Sequence, residues 1–212
     1  MEINEKLESH ALIPVVVIND ADKTEALCNA LAQGGLPVAE ITFRTAAAED
    51  SIRQAAKIPG MTIGAGTVIN PDQAKAAAAA GAKFIVSPGF GHKVVAWCLA
   101  NDMPVFPGVA TPTEVQAAID HGISTVKVFP VESLGGAAYL KALAAPFPQM
   151  KFVPTGGVGL DMLAAYLQMP QVVAVGGSWM VPASDLNAGR FETIRHLTAE
   201  SVGMVKALRG TD

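Results

Sequence analysis

Val38-Ala39-Glu40-Ile41-Thr42-Phe43-Arg44 reads as a β-strand with two unlike faces. A period of two puts Val38, Glu40, Thr42 and Arg44 on one side and Ala39, Ile41 and Phe43 on the other. A parallel strand covered by helices on both faces is apolar throughout, and this one is not. Thr125-Val126-Lys127-Val128-Phe129 repeats the pattern, with Thr125, Lys127 and Phe129 opposing Val126 and Val128. A closed barrel accounts for both strands: the apolar faces meet a ring of helices and the polar faces enter the lumen.

Working outward, short β-rich runs recur at Ile13–Ile18, Val38–Phe43, Thr62–Gly66, Phe84–Ser87, Val105–Pro107, Thr125–Phe129, Phe152–Thr155 and Val172–Val175. Helical segments alternate with them at 20–33, 46–57, 71–80, 91–101, 112–121, 136–145, 160–168 and 189–208. Strict alternation of strand and helix predicts a parallel sheet. Eight such units in 212 residues predict an α/β protein, a compact (β/α)8 TIM barrel forming a single domain over residues 1–212. A doubly wound open sheet is the alternative. Asn70-Pro71 and Thr111-Pro112 each set a capping side chain before a proline at a helix start. Gly34-Gly35, Gly81 and Gly122 mark helix ends. The long segment 189–208 is a candidate to cover one end of the barrel.

Composition narrows the function classes. The formal net charge is −4, with no basic cluster, so nucleic acid is not an expected partner. No apolar run approaches the roughly 20 residues that span a bilayer, and no basic amphipathic helix points to a membrane surface. The N-terminus lacks a signal-peptide core. Cys28 and Cys98 lie in apolar helical runs and read as reduced core residues of a cytoplasmic protein.

The chemistry follows from the polar lumen. A buried charge is costly unless paired, and a carboxylate, a guanidinium and an amine aimed into one lumen offset one another. A purely structural ion pair is the competing reading. The positions favour function, because barrel enzymes carry their chemistry at the C-terminal ends of the strands. Lys83 and Lys151 stand at strand starts, where their ammonium groups reach water. Lys127 alone is bracketed by valines inside a strand. Desolvation disfavours the charged form of an amine, and a neutral amine is a nucleophile toward carbonyls.

Two glycine clusters, Thr155-Gly156-Gly157 and Gly176-Gly177-Ser178, follow the seventh and eighth strands, the usual phosphate site of such barrels. Gly64-Ala65-Gly66 starts like a dinucleotide fingerprint, but Ile69 stands where the third glycine belongs. His10, His92, His121 and His196 show no metal-ligand spacing, so neither metal nor cofactor is expected. Trp97 and Trp179 read as core or lid residues.

The motifs Val38–Thr45, Gly64-Ala65-Gly66-Thr67-Val68, Ser87-Pro88-Gly89, Val126–Pro130, Pro154–Gly157 and Gly176–Trp179 together resemble the 2-keto-3-deoxy-6-phosphogluconate aldolases, also called 4-hydroxy-2-oxoglutarate aldolases. The resemblance runs from about Ile13 to the C-terminal helix. It implies a metal-free class I aldolase on a (β/α)8 barrel, a homotrimer, acting in Entner–Doudoroff carbohydrate metabolism. The implied substrate is a phosphorylated 2-keto acid, cleaved to pyruvate and glyceraldehyde 3-phosphate through a lysine Schiff base, with 4-hydroxy-2-oxoglutarate as a second substrate. Lys127 matches the Schiff-base lysine and Glu40 the proton-shuttling carboxylate. Arg44 and Thr67 match the groups holding the pyruvate carboxylate, and Pro88 and Phe129 the apolar pocket walls. Thr155, Gly156, Gly157, Gly177 and Ser178 match the loops around the distal chain and phosphate. Two rivals stand beside this reading: a sugar-phosphate isomerase that makes no Schiff base, and a noncatalytic ligand-binding scaffold.

Overall fold

The computed structural model describes residues 2–210. Its strands are β1 (Leu12–Val16), β2 (Val38–Thr42), β3 (Thr62–Gly66), β4 (Phe84–Val86), β5 (Val105–Phe106), β6 (Gly108–Val109), β7 (Thr125–Val128), β8 (Lys151–Pro154) and β9 (Val175–Gly177). They form a six-stranded sheet, β5-β4-β3-β2-β1-β9, and a three-stranded sheet, β6-β7-β8. All the pairings are parallel.

The two sheets are arcs of one barrel. At one seam β5 and β6 are halves of a single strand interrupted by Pro107, which has no N–H to donate to a ladder. Its carbonyl still accepts from the Lys127 N–H at 3.0 Å, so the chain passes from a pairing with β4 to one with β7. At the other seam, bridges join Phe152 to Val172 and Thr155 to Gly176. The nine segments thus make the eight strands expected of a TIM barrel.

The outer ring comprises α2 (Thr24–Gln33), α3 (Ala48–Ala55), α4 (Pro71–Ala80), α5 (His92–Ala100), α6 (Pro112–Asp120), α7 (Gly136–Ala144), α8 (Leu163–Leu167) and α10 (Phe191–Arg209), with a short α9 (Ala183–Asn187) before the last. Asn70 and Thr111 cap α4 and α6 through hydrogen bonds from Gln73 and Glu114, each with proline in the first turn. Ala39 and Ile41 are buried on the helix-facing side of β2, as period two predicts. Cys28 and Cys98 lie buried in the same layer, and burial pushes their thiols up to about 12 and about 11.

Three features differ from the sequence reading. The helix covering a barrel end is α1 (Ile3–His10), not the C-terminal one. Leu7 of α1 is buried, and Asn4 shares a groove with Val105 and Thr125, the first residues of β5 and β7. The polar composition of α1 hid it, since a single buried side chain gives no apolar stripe. The long α10 instead lies on α2, so close that a Cβ on Gly34 would meet Thr198 at 2.7 Å. Finally, the eighth barrel strand is Val175–Gly177, not Val172–Val175, which places Gly176 and Gly177 inside the strand. Glycine reads as a turn residue, but in a strand it marks a close approach. A Cβ on Gly176 would sit 2.4 Å from the Thr155 hydroxyl, and one on Gly177 would enter the Trp179 ring.

Candidate active site

The barrel floor holds one ion pair. Lys127 Nζ lies 3.4 Å from Glu40 Oε1, with side chains only 5% and 3% exposed. Glu40 projects from β2, where it is in register with Val15 of β1 and Gly64 of β3. Lys127 projects from β7, flanked in register by Gly108 and Val153. Removing one partner of such a pair leaves an uncompensated buried charge. The Lys127 amine also stands 5.2 Å from the centroid of the Phe129 ring.

Glycines make room for this pair. A Cβ on Gly66 would fall 2.2 Å from Glu40 Oε1, so the carboxylate occupies the volume of a missing methyl group. A Cβ on Gly108 would fall 2.2 Å from the Pro88 carbonyl oxygen, which sets Pro88 beside the neighbour of Lys127. By sequence alone Gly64-Ala65-Gly66 starts like a dinucleotide fingerprint and does not disclose this role. The signal was available as glycine within a strand, but its partner was not.

The remaining polar residues of β2 divide. The Thr42 hydroxyl donates to the Val16 carbonyl at 2.7 Å and is fully buried, a link to β1. Arg44 does not enter the lumen as the alternation predicted. β2 ends at Thr42, the chain turns through Phe43 and Arg44, and Arg44 is exposed at the rim. Its Nε donates to Thr67 Oγ1 at 3.2 Å. Thr67 has φ +55°, a left-handed conformation that is a true outlier for a β-branched residue. Such strain gathers at functional sites.

A cavity of ≈ 510 Å³ has a wall that includes Arg44, Phe129, Thr155, Gly156, Gly157, Gly177 and Ser178. Neither Lys127 nor Glu40 is on that wall, and the Lys127 amine meets it through the Phe129 ring. Thr67 joins this group through Arg44. Pro88 stands off the cavity wall and meets the site through Gly108. Of the predicted site residues, Arg44, Phe129, Thr155, Gly156, Gly157, Gly177 and Ser178 share the cavity wall, while Lys127, Glu40, Thr67 and Pro88 stand off it. Segments 155–159 and 176–182 contain no Lys or Arg, so the far end of the cavity offers backbone and hydroxyl groups alone. By sequence alone Trp179 reads as a core or lid residue. Its indole N–H donates to Ser201 Oγ at 2.9 Å and ties the loop after β9 to α10.

Among the described residues no group of three or more His, Cys, Asp or Glu side chains gathers at metal-binding range. His92 and His121 instead pack with Phe90, edge to face. No helix of the described residues is long and apolar enough to cross a membrane.

Comparison with known proteins agrees with this geometry. The family model for KDPG and KHG aldolases matches residues 3–197. The 2-dehydro-3-deoxy-phosphogluconate aldolase of Treponema pallidum is 46% identical over 206 residues, covering 96% of this chain and 97% of that one. The Zymomonas mobilis 2-keto-3-deoxy-6-phosphogluconate aldolase, solved with 3-phosphoglycerate, superposes with a TM-score of 0.89 at 36% identity, covering 95% of this chain and 96% of that one. The Legionella pneumophila KDPG aldolase, solved with pyruvate captured as a covalent carbinolamine, gives 0.90 at 36% identity, covering 94% and 97%. A barrel with a buried amine–carboxylate pair, matched along nearly its whole length by these lyases, belongs to the KDPG and KHG aldolase family and is a carbon–carbon lyase.

Proposed function

We propose that this enzyme cleaves 2-keto-3-deoxy-6-phosphogluconate to pyruvate and glyceraldehyde 3-phosphate through a Schiff base on Lys127, and 4-hydroxy-2-oxoglutarate to pyruvate and glyoxylate by the same route. The observation that carries the reading is the buried 3.4 Å contact between Lys127 Nζ and Glu40 Oε1, with the Lys127 amine 5.2 Å from the Phe129 ring of the cavity wall. The pyruvate carbinolamine of the Legionella relative and the 3-phosphoglycerate of the Zymomonas one support the two halves of the substrate.

Glu40 takes a proton from Lys127, and the neutral amine attacks C2 of the keto acid. The carbinolamine loses water with the proton from Glu40, leaving an iminium ion and a carboxylate. Glu40 then removes the proton of the C4 hydroxyl. The C3–C4 bond breaks, its electrons flow to the iminium nitrogen, and the aldehyde departs from a neutral enamine. Glu40 returns its proton to C3, and water releases pyruvate from the lysine. One carboxylate serves throughout because it alternates between protonation states.

Arg44, with Thr67 beside it, holds the substrate carboxylate and fixes C2 near the amine. Pro88 and Phe129 wall the pyruvate portion. Thr155, Gly156, Gly157, Gly177 and Ser178 receive the distal chain and phosphate. The functional unit is a homotrimer, tested by light scattering for three times the chain mass.

Borohydride reduction in the presence of pyruvate tests the mechanism. It is expected to inactivate the enzyme and label Lys127 alone. Lys127→Arg loses activity while staying folded, because a guanidinium remains protonated and forms no imine. Labelling at another lysine removes the Schiff base from Lys127, and no labelling of an active enzyme rejects the Schiff base and favours an isomerase-type reaction.

A further inference from the structure

The loops that follow β7 and β8 run side by side beyond the strands. The Val131 N–H donates to the Thr155 carbonyl at 2.9 Å, and the Glu132 N–H to the Gly156 carbonyl at 3.1 Å. Gly156 and Gly157 both take left-handed conformations, φ +100° and +85°. Their shape is dictated from the neighbouring loop: a Cβ on Gly156 would lie 3.0 Å from the Phe129 ring, and one on Gly157 would lie 2.8 Å from Glu132 Cβ. The glycine turn at the far end of the cavity is therefore moulded against residues 129–132.

Residues 129–132 have an anchor of their own. The Tyr166 hydroxyl donates to the Glu132 carboxylate, and the Tyr166 side chain, on α8, is 1% exposed. α8 is the helix into which the glycine loop leads, so the bond reaches over that loop from its exit to its neighbour. Burial, and then the Glu132 carboxylate, hold the Tyr166 hydroxyl above its usual range, so it stays a donor. Glu132 is not on the cavity wall, and nothing in the reaction above uses it or Tyr166.

We infer that Glu132 and Tyr166 are positioning residues that hold the Gly156-Gly157 turn in shape for the distal anion, and so set the preference for phosphorylated over short keto acids. The inference rests on the proposed function. It has a consequence that burial alone does not impose: the pair acts on one substrate and not on the other. A hydrogen bond to a charged group is worth enough to move an equilibrium by about tenfold.

The test compares wild type with Tyr166→Phe, Glu132→Ala and Glu132→Gln on 2-keto-3-deoxy-6-phosphogluconate and 4-hydroxy-2-oxoglutarate, with pyruvate trapping by borohydride as a measure of Schiff-base formation. Tyr166→Phe and Glu132→Ala are expected to raise KM for the phosphorylated substrate about tenfold, with kcat and trapping little altered. Glu132→Gln keeps an oxygen acceptor for the Tyr166 hydroxyl and is expected to restore the wild-type preference. Equal losses on both substrates, an unchanged preference in Tyr166→Phe, or Glu132→Gln as damaging as Glu132→Ala overturns the inference and leaves the aldolase reading standing. A wild-type enzyme that traps pyruvate but does not turn over the phosphorylated acid overturns both the inference and the proposed main substrate.

Discussion

The two ends of the cavity are built from different materials. At one end Arg44 brings a full charge, held by a hydrogen bond to Thr67 in a strained backbone. At the other, Thr155, Gly156, Gly157, Gly177 and Ser178 bring no charge, and two successive left-handed glycines set the shape. A side chain recognises a carboxylate wherever it can reach, because a guanidinium fork carries its own donors. A backbone recognises an anion only where the chain is bent to aim its N–H groups at it. The charged end therefore depends on one residue and the neutral end on the fold around it.

Disturbing the buried Lys127–Glu40 pair is expected to produce the largest effect. Gly66→Ala pushes a methyl group into the Glu40 carboxylate. Loss of a positioned acid–base group costs roughly 10²–10⁴-fold in kcat, and the loss should be the same for both substrates. An unchanged circular dichroism spectrum and thermal midpoint would separate a displaced Glu40 from a misfolded barrel. Near-normal turnover of Glu40→Gln, which keeps the side chain's shape and cannot accept the proton, would mean that Glu40 is not the proton carrier.

Arg44→Gln comes next. A charge-assisted contact of about 1.5–3 kcal/mol predicts roughly a 10–100-fold fall in kcat/KM. On the proposed assignment both keto acids place their carboxylate at this end, so both should fall together. A loss confined to the phosphorylated acid would reverse the assignment of the two ends. Ser178→Ala is the counterpart at the neutral end, with a reduction of roughly tenfold or more for the phosphorylated substrate and none for 4-hydroxy-2-oxoglutarate. Equal loss on both substrates would make the loop after β9 purely structural and displace the phosphate from it.

The smallest effect sharpens the comparison from the side of stability. Thr67 occupies a left-handed conformation, φ +55°, that costs about 1–3 kcal/mol for a residue of its kind. Thr67→Gly is expected to raise the denaturation midpoint while lowering kcat/KM several-fold, because Arg44 loses its partner. A variant less stable than wild type would show that the strain is offset by contacts of the Thr67 side chain.

The barrel itself was legible because its signals are local. Alternation of short β-rich runs with capped helices named the strands within a residue or two, except at β9. There glycines belonging to a strand carried the appearance of a turn, and the reason for them, the Thr155 and Trp179 side chains, lies elsewhere in the chain. The split at Pro107 was likewise hidden, since a proline signals a missing donor and not which neighbour would have accepted it. Helix α1 escaped because only Leu7 of its residues is buried, too little to make a stripe.

By itself the sequence determined that Glu40 and Lys127 share the lumen face of their strands, because side chains on a pleated strand alternate strictly. It also determined the neutral composition of the far end, since residues 155–159 and 176–182 contain no cation. Tertiary structure alone decided that an amine on β7 and a carboxylate on β2 stand 3.4 Å apart. It alone moved Arg44 out of the lumen to the rim and onto Thr67, where a turn after Thr42 ends the alternation. Periodicity is a property of neighbouring residues. A distance across a lumen depends on how the whole ring of strands closes, and on glycines such as Gly66 that leave space for a side chain from the strand beside them.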